Sequence, residues 1–326
     1  DVLAKACRTP GIAVMGPESM GVMDVLARRF LFCGRLPEIP RAGRVSIVSR
    51  SGGLAIEAIR AMRDDGRLGM RRLACTGREG GMGAADALRD LAKDDGTATV
   101  LLLLESDPCA ASLLPGIEAI GAAGKEAILI STAADGTMEG RVVEALASRT
   151  GAFLARSMDE AIEAAAVAEA RPAGRGRGGA AWVASASAGV GEWLEREARS
   201  AGLPSPEPSR ATSRAIAKAL GPAAGKAIAS PIDLTAAAVT DASVLESVVA
   251  AMAADPGTGA VLVSLHPSAG KSYSDRRNAR WLEFLGRRGR ESGRLVMPVQ
   301  ATAAVAAPPM GMAPGASAAA RNAAWW

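Results

Sequence analysis

Aromatic residues make up only 3% of this chain of 326 residues, with one Tyr, four Phe and five Trp. That scarcity argues against a protein that stacks nucleic-acid bases on aromatic platforms. Histidine occurs once, as His266. Any His-based metal site or Ser-His-Asp triad would therefore depend on that residue alone, and a polar residue at a strand end explains it as well. The four cysteines, Cys7, Cys33, Cys75 and Cys109, show no C-x-x-C spacing. They read as free thiols of a reducing cytoplasm, and a cysteine-rich metal site is not expected. No uncharged apolar run reaches the roughly 18 residues needed to span a bilayer. No signal-peptide pattern opens the chain. Asp1 stands where an initiator Met would, so a fragment or processed product is expected. Charge of one sign is not in excess either: 38 Lys and Arg face 34 Asp and Glu, a net +4. Arg clusters at 171–177 and 276–290 suit a mildly basic cleft or a solvated surface equally.

What is abundant is the material of packed layers. The hydrophobic fraction is 49%, much of it Ala. Small residues let helices lie close to a sheet, as in α/β folds. From residue 43 onward apolar runs alternate with helical patterns. Strands are expected at 11–15, 44–49, 71–76, 99–104, 127–131 and 152–155. Helices are expected at 54–64, 84–93, 110–123, 138–148 and 158–170, and 31–44 reads as an irregular connector. This alternation predicts a parallel sheet covered on both faces. The unbroken run Val100-Leu-Leu-Leu-Leu suits a central strand.

The Gly- and Arg-rich stretch 171–180 reads as a linker. The same grammar then restarts, with strands at 181–185, 260–265 and 295–299 and helices at 192–201, 243–254 and 275–288. The Ala-, Pro-, Gly- and Met-rich stretch 301–326 has no clear periodicity and reads as an irregular tail.

The segment Gly43-Arg-Val-Ser-Ile-Val-Ser-Arg-Ser-Gly-Gly-Leu joins an apolar strand through a small-residue turn to a helix N-terminus. The first amides of a helix lack internal acceptors and sit at its positive dipole end. Ser49, Ser51, Gly52 and Gly53 can thus cradle a phosphate or carboxylate, although the same pattern also makes an ordinary β–α turn. Ser187, Gly189 and Gly191 form a comparable turn in the second half.

These pieces resemble the NDP-forming acyl-CoA synthetases, including the succinyl-CoA synthetase alpha subunit. Gly16-Pro-Glu-Ser-Met-Gly is similar to the family's G-P-N-x-x-G turn, and Gly43-Arg-Val-Ser-Ile-Val-Ser-Arg-Ser-Gly to its G-x-V-x-x-V-S-[QR]-S-G. Cys75-Thr-Gly-Arg-Glu-Gly resembles its G-N-x-x-D turn, Leu101-Leu-Leu-Leu-Glu105 its strand ending in Glu, and Ser230-Pro-Ile-Asp-Leu-Thr its N-P-[VI]-D-L-T. The resemblance spans roughly residues 11 to 299. It implies an α/β protein of two flavodoxin-like, doubly wound parallel-sheet domains, preceded by the remnant of a Rossmann-type CoA-binding domain. The implied division is 1–42 for that remnant and its connector, 43–170 and 181–300 for the two flavodoxin-like domains, 171–180 for the linker and 301–326 for the tail.

The implied activity is acid–thiol ligation. Nucleoside triphosphate cleavage, with Mg2+, drives thioester formation on CoA through an acyl phosphate and a phosphorylated His. By the same resemblance, the turns at Ser51 and Ser187 would be two phosphate sites, Glu105 the carboxylate that orients the His, and Gly16, Pro17, Glu18 and Ser19 the neighbours of CoA. No metal-ligating residues are expected in this chain. The expected partners are an ATP-grasp domain or chain, a small carboxylate and CoA, and a further copy of the chain through open sheet edges. Neither nucleic acid nor membrane is expected.

The departures are specific. No His follows the strand at 127–131, where the family carries its phosphohistidine loop, and no ATP-grasp pattern is visible. Glu18 and Ser230 both stand where the family has Asn. Two alternatives follow from these departures: a carbamoyl- or acyl-transferase subunit without a phosphohistidine, and a non-catalytic binding protein of the same fold.

Overall fold

A computed structural model describes residues 9–11, 13–36, 38–105, 109–170, 179–223, 228–235, 238, 241–264 and 273–299. His266, most of the 171–180 stretch and the 301–326 tail lie outside the described residues. The chain divides into two compact units with the break between Glu169 and Ala170.

The first unit holds β1 (Gly21–Asp24), β2 (Arg29–Phe32), β3 (Ala42–Ser49), α1 (Gly52–Asp65), β4 (Met70–Cys75), α2 (Ala84–Lys93), β5 (Thr99–Leu104), α3 (Ala110–Ala122), β6 (Glu126–Ser131), α4 (Met138–Thr150), β7 (Phe153–Ala155) and α5 (Met158–Ala170). Its strands lie in the order β2-β1-β4-β3-β5-β6-β7. From β4 to β7 neighbouring strands are parallel. Taken from β3 onward the order is 2-1-3-4-5, that of flavodoxin-like sheets.

Every residue of β5 is buried. Alternation along the strand sends Leu101 and Leu103 to a core with Ile47, Ile59 and Met62. Val100, Leu102 and Leu104 face a second core with Leu88, Ile117 and Leu129. Each such side chain contributes about 1.5–3 kcal/mol on burial. This is why a strand at the centre of a doubly covered sheet reads as an unbroken apolar run.

Two expectations near the start are corrected. No strand is formed by the described residues of 11–15, that is 11 and 13–15; Met15 makes a single parallel bridge to Met82. The 31–44 stretch is not wholly a connector, because Leu31 and Phe32 belong to β2 and Ala42 opens β3. Strands β1 and β2 form an antiparallel hairpin, and β1 also pairs antiparallel with β4. Ionic contacts hold this hairpin to the sheet: Arg72 Nε lies 3.0 Å from Asp24 Oδ2, and Arg71 reaches both Asp24 and Asp94.

The second unit holds β8 (Ala180–Ser185), α6 (Ala188–Ser200), α7 (Arg210–Leu220), β9 (Ile232–Asp233), α8 (Ala242–Ala254), β10 (Thr258–Ser264), α9 (Tyr273–Ser292) and β11 (Leu295–Val299). Helix α7 was not among the expected helices, although it buries Thr212, Ile216 and Leu220 on one face. Its four strands are parallel in the order β9-β8-β10-β11, again starting 2-1-3-4 from β8. Trp182, Val248, Val249, Met252, Val261 and Val263 fill the core. Ser230 is anchored by the buried Glu195: its hydroxyl donates to Glu195 Oε2 at 2.6 Å and accepts from the Val183 amide at 3.0 Å.

Asp255 closes α8 and ties it to the start of α7. It is 2% exposed and accepts from the Thr212 hydroxyl at 2.6 Å, the Ser209 amide at 2.9 Å and the Gly257 amide at 3.0 Å. Burial pushes its pKa up, but these donors outweigh it and leave the carboxyl below the usual range. Asp255→Ala strands a buried hydroxyl and an amide, and an expected cost of about 2–3 kcal/mol should appear in urea unfolding of the full chain. A change under about 0.5 kcal/mol would show that water replaces the lost acceptor.

Candidate functional site

In an open α/β sheet, ligands bind beyond the carboxyl ends of the strands where the order of connection reverses. In the first unit that point lies between β3 and β5. Strand β3 ends at Ser49 and hands over to α1 through Arg50 and Ser51, and β5 ends at Leu104, immediately before Glu105. A cavity of about 600 Å3 opens there, lined by Glu18, Arg50, Ser51, Gly52, Gly77, Arg78 and Glu105.

The turn into α1 is held from within. Ser49 is buried, and its hydroxyl donates to the Ser51 carbonyl at 2.8 Å. Ser51 has extended backbone and caps α1, its Oγ accepting from the Leu54 amide at 3.4 Å. Gly52 and Gly53 supply the first two amides of the helix, which have no intrahelical acceptor. A Cβ at Gly52 would fall 1.9 Å from Met20 Sδ, so this position favours the smallest residue. Gly53 is exposed beside it.

Two further turns form the opposite wall. The Gly16–Ser19 turn is clamped to the Gly77–Gly80 turn by amides of Arg78 to the Pro17 carbonyl (2.9 Å) and of Gly80 to the Gly16 carbonyl (2.8 Å). Ser19 Oγ donates to the Cys75 carbonyl. Gly77 has φ +64 and stands so close that an added Cβ would lie 2.3 Å from the Pro17 oxygen. Across the join Arg78 Nε donates to Glu18 Oε2 at 2.8 Å. Glu79 faces away from this pair and caps α2, accepting from the Ala84 amide and the Thr76 hydroxyl, both at 2.9 Å. Cys75 lies beneath, donating to the Arg50 carbonyl at 3.8 Å. Burial pushes its thiol up, and the charges of Cys33 and Glu105 push the same way.

Of the residues singled out from the sequence, Ser51, Gly52, Glu18 and Glu105 line one cavity. Gly16, Pro17 and Ser19 build the wall behind it, and Ser49 supports the turn from inside the core. Arg50, Gly77 and Arg78 also line the cavity. They sit inside the motifs quoted above, but nothing in those motifs said that the two turns meet.

Ser187, Gly189 and Gly191 belong to the second unit. Ser187 stands at the N-terminus of α6 without a side-chain capping bond, and its amide donates to Ser185 Oγ at 3.1 Å. Gly189 is exposed in the first turn, whereas Gly191 is buried and its amide donates to the Ser187 carbonyl at 2.9 Å. Strand β10 places Ser264 in register with Ser185 at the corresponding reversal of that sheet. Among the described residues no group of three or more His, Cys, Asp or Glu side chains is placed to hold a metal ion. None of the described helices is long and apolar enough to cross a membrane.

Residues 42–168, within the first unit, match the succinyl-CoA ligase like flavodoxin domain. No curated protein matches the chain. Among solved structures, the fold is similar to acetyl-coenzyme A synthetase 1 of Ca. Korarchaeum cryptofilum, described as dinucleotide forming, in complex with phosphate and ADP. That pair has TM-score 0.72 and 18% identity, covering 89% of this chain and 62% of the other. The apo form of that enzyme gives TM-score 0.72 and 19% identity, with 89% and 63% covered. The protein PH0766 of Pyrococcus horikoshii OT3 gives TM-score 0.68 and 16% identity, with 89% and 62% covered. At these identities the likeness is one of fold, and this chain spans less than two thirds of each of those structures. The expected α/β class with two flavodoxin-like sheets is what the structure has, the first mostly parallel and the second parallel.

Proposed function

We propose that this chain is an acid–thiol ligase component of the NDP-forming acyl-CoA synthetase type, handling an acyl phosphate and CoA with an ATP-grasp module. That module would come from another domain or chain. The observation that carries this reading is the joint lining of one cavity by the α1 N-terminus and the Glu105 carboxylate, at the reversal point of a flavodoxin-ordered sheet. The amides of Gly52 and Gly53, with the guanidiniums of Arg50 and Arg78, suit a phosphoryl group. In this reading Glu105 accepts a hydrogen bond from the group that delivers the phosphoryl. The α6 N-terminus, with Ser187 and Gly189, is proposed as a second phosphate site in its own unit.

CoA supplies the thiol, and a nucleoside triphosphate with Mg2+ supplies the phosphoryl group, when those ligands are bound. The described residues offer no metal-ligand cluster, so in this reading the nucleotide and its ion belong to the ATP-grasp partner. Free thiols support a cytoplasmic setting.

One observation favours the alternative of a carbamoyl- or acyl-transferase subunit. Only residues 132–137 join β6 to α4, and none is His. A phosphate site remains while its expected covalent carrier does not.

Isothermal titration of the full chain with inorganic phosphate, CoA and ATP, each separately, tests the reading. Phosphate is expected to bind and to lose at least about tenfold in affinity in Ser51→Asp. Asp is as good an N-cap as Ser, so the helix persists while its anion site gains a negative charge. Gly189→Asp tests the second site in the same way. No heat from any of the three ligands would overturn the reading and leave a non-catalytic protein of this fold.

A further inference from the structure

The cavity of the first unit holds an ion pair that its phosphate-binding role does not call for. Glu18 and Arg78 line the cavity from facing turns, and their side chains are 62% and 70% exposed. A buried pair of the same unit makes the contrast. Arg71 with Asp94 is about nine-tenths buried and serves packing. The Glu18–Arg78 pair buries nothing and joins no core. Its position is nevertheless built with care: two inter-turn backbone hydrogen bonds and the close seat of Gly77 fix the two Cα atoms relative to each other. Glu18 takes φ +60 there, an uncommon conformation for a residue other than glycine.

We infer that Glu18 is an internal competitor for the anion of this cavity: its carboxylate occupies the Arg78 guanidinium until a phosphoryl or carboxylate ligand displaces it. The inference rests on the phosphate-site reading above. A carboxylate and a phosphoryl oxygen make the same charge-assisted bond to guanidinium, so each can replace the other. An exposed pair is held weakly, by roughly 0.2–1 kcal/mol. It can therefore open whenever a ligand adds the α1 amides and Arg50 to what Arg78 alone offers. The device raises the threshold for binding and selects for ligands of higher charge. A dianion gains more than a monoanion from releasing the guanidinium, because it meets Arg78, Arg50 and the helix dipole together.

Four full-length proteins test this by isothermal titration with inorganic phosphate at one ionic strength: the parent, Glu18→Gln, Arg78→Gln and the double variant. Both side chains are exposed, so thermal unfolding midpoints should stay within about 2 °C of the parent. Glu18→Gln is expected to tighten phosphate binding about two- to fivefold, the range an exposed pair can withhold. Arg78→Gln is expected to weaken it. In the Arg78→Gln background, adding Glu18→Gln should give a clearly smaller gain than in the parent, because no guanidinium is left to release. Equal gains in both backgrounds would overturn the inference, showing that Glu18 acts only by its charge. So would weaker binding in Glu18→Gln. In either case the parent still binds phosphate, and the wider reading of the cavity stands. Absence of phosphate binding in all four proteins would overturn both.

Discussion

Arg71→Met should destabilise the first unit by about 3 kcal/mol, the scale of losing one partner of a buried ion pair. The Arg71 side chain is only 10% exposed and binds Asp24 on β1 and Asp94 after α2, the latter at 2.9 Å. Met fills much of the volume but leaves two shielded carboxylates with Arg72 as their remaining cation. Urea unfolding of the full chain, followed by a probe in the first unit, measures the loss. A cost below about 1 kcal/mol would mean that Arg72 alone satisfies both acids.

The same network sets an acid limit. For Asp24, burial raises the pKa, but the Ala27 amide and the Arg72 and Arg71 guanidiniums outweigh it, so the carboxyl sits below the usual range. For Asp94, burial is outweighed by the Thr97 hydroxyl and the same two cations. Carboxyls depressed in the folded state contribute fully above their unfolded pKa, near 3.8–3.9. That contribution is lost as the pH falls through the lowered values. Stability of the parent should therefore fall steeply below about pH 4, and Arg71→Met should show a flatter acid limb.

Gly77→Ala is expected to cost about 2–4 kcal/mol and to weaken phosphate binding several-fold. Two effects combine at this residue: a left-handed φ of +64 and a Cβ position 2.3 Å from the Pro17 oxygen and 2.6 Å from the Ser19 nitrogen. The obstructing atoms are backbone, so the two turns must part, carrying Arg78 away from the α1 amides. Gly53→Ala is the control. Its Cβ would meet only Ser51 Oγ, at 3.8 Å, and helix propensity favours Ala, so stability should hold or rise slightly. Equal stability of Gly77→Ala and Gly53→Ala would show that the facing turns are not rigidly joined.

Legibility in the sequence followed how local the cause was. The strand 99–104 and the helix 84–93 were read with their observed limits, because burial on both faces and a one-sided apolar stripe leave periodic marks. The turn at Ser51 was legible from composition, since small residues must stand where a helix start stays open. The β1–β2 hairpin left no such mark. Its strands are four residues each, its turn carries no Asn-Gly or Asp-Gly pair, and its attachment relies on Arg71 and Arg72 meeting Asp24 from 47 and 48 residues away. Helix α7 differs: its marks are local, a Ser209 cap on the Thr212 amide and buried Thr212, Ile216 and Leu220 at every fourth position, although it was not among the expected helices.

The sequence by itself determined the α/β alternation, the buried central strand and the small-residue helix start at Ser51. Each depends on residues near one another in the chain, so composition and period record it. Only the tertiary structure decided that Glu105 and Ser51 share a cavity, that Gly77 presses on Pro17, and that Arg78 answers Glu18 across 60 residues. Those meetings depend on strand order and on where two turns come to rest, and a one-dimensional pattern carries neither.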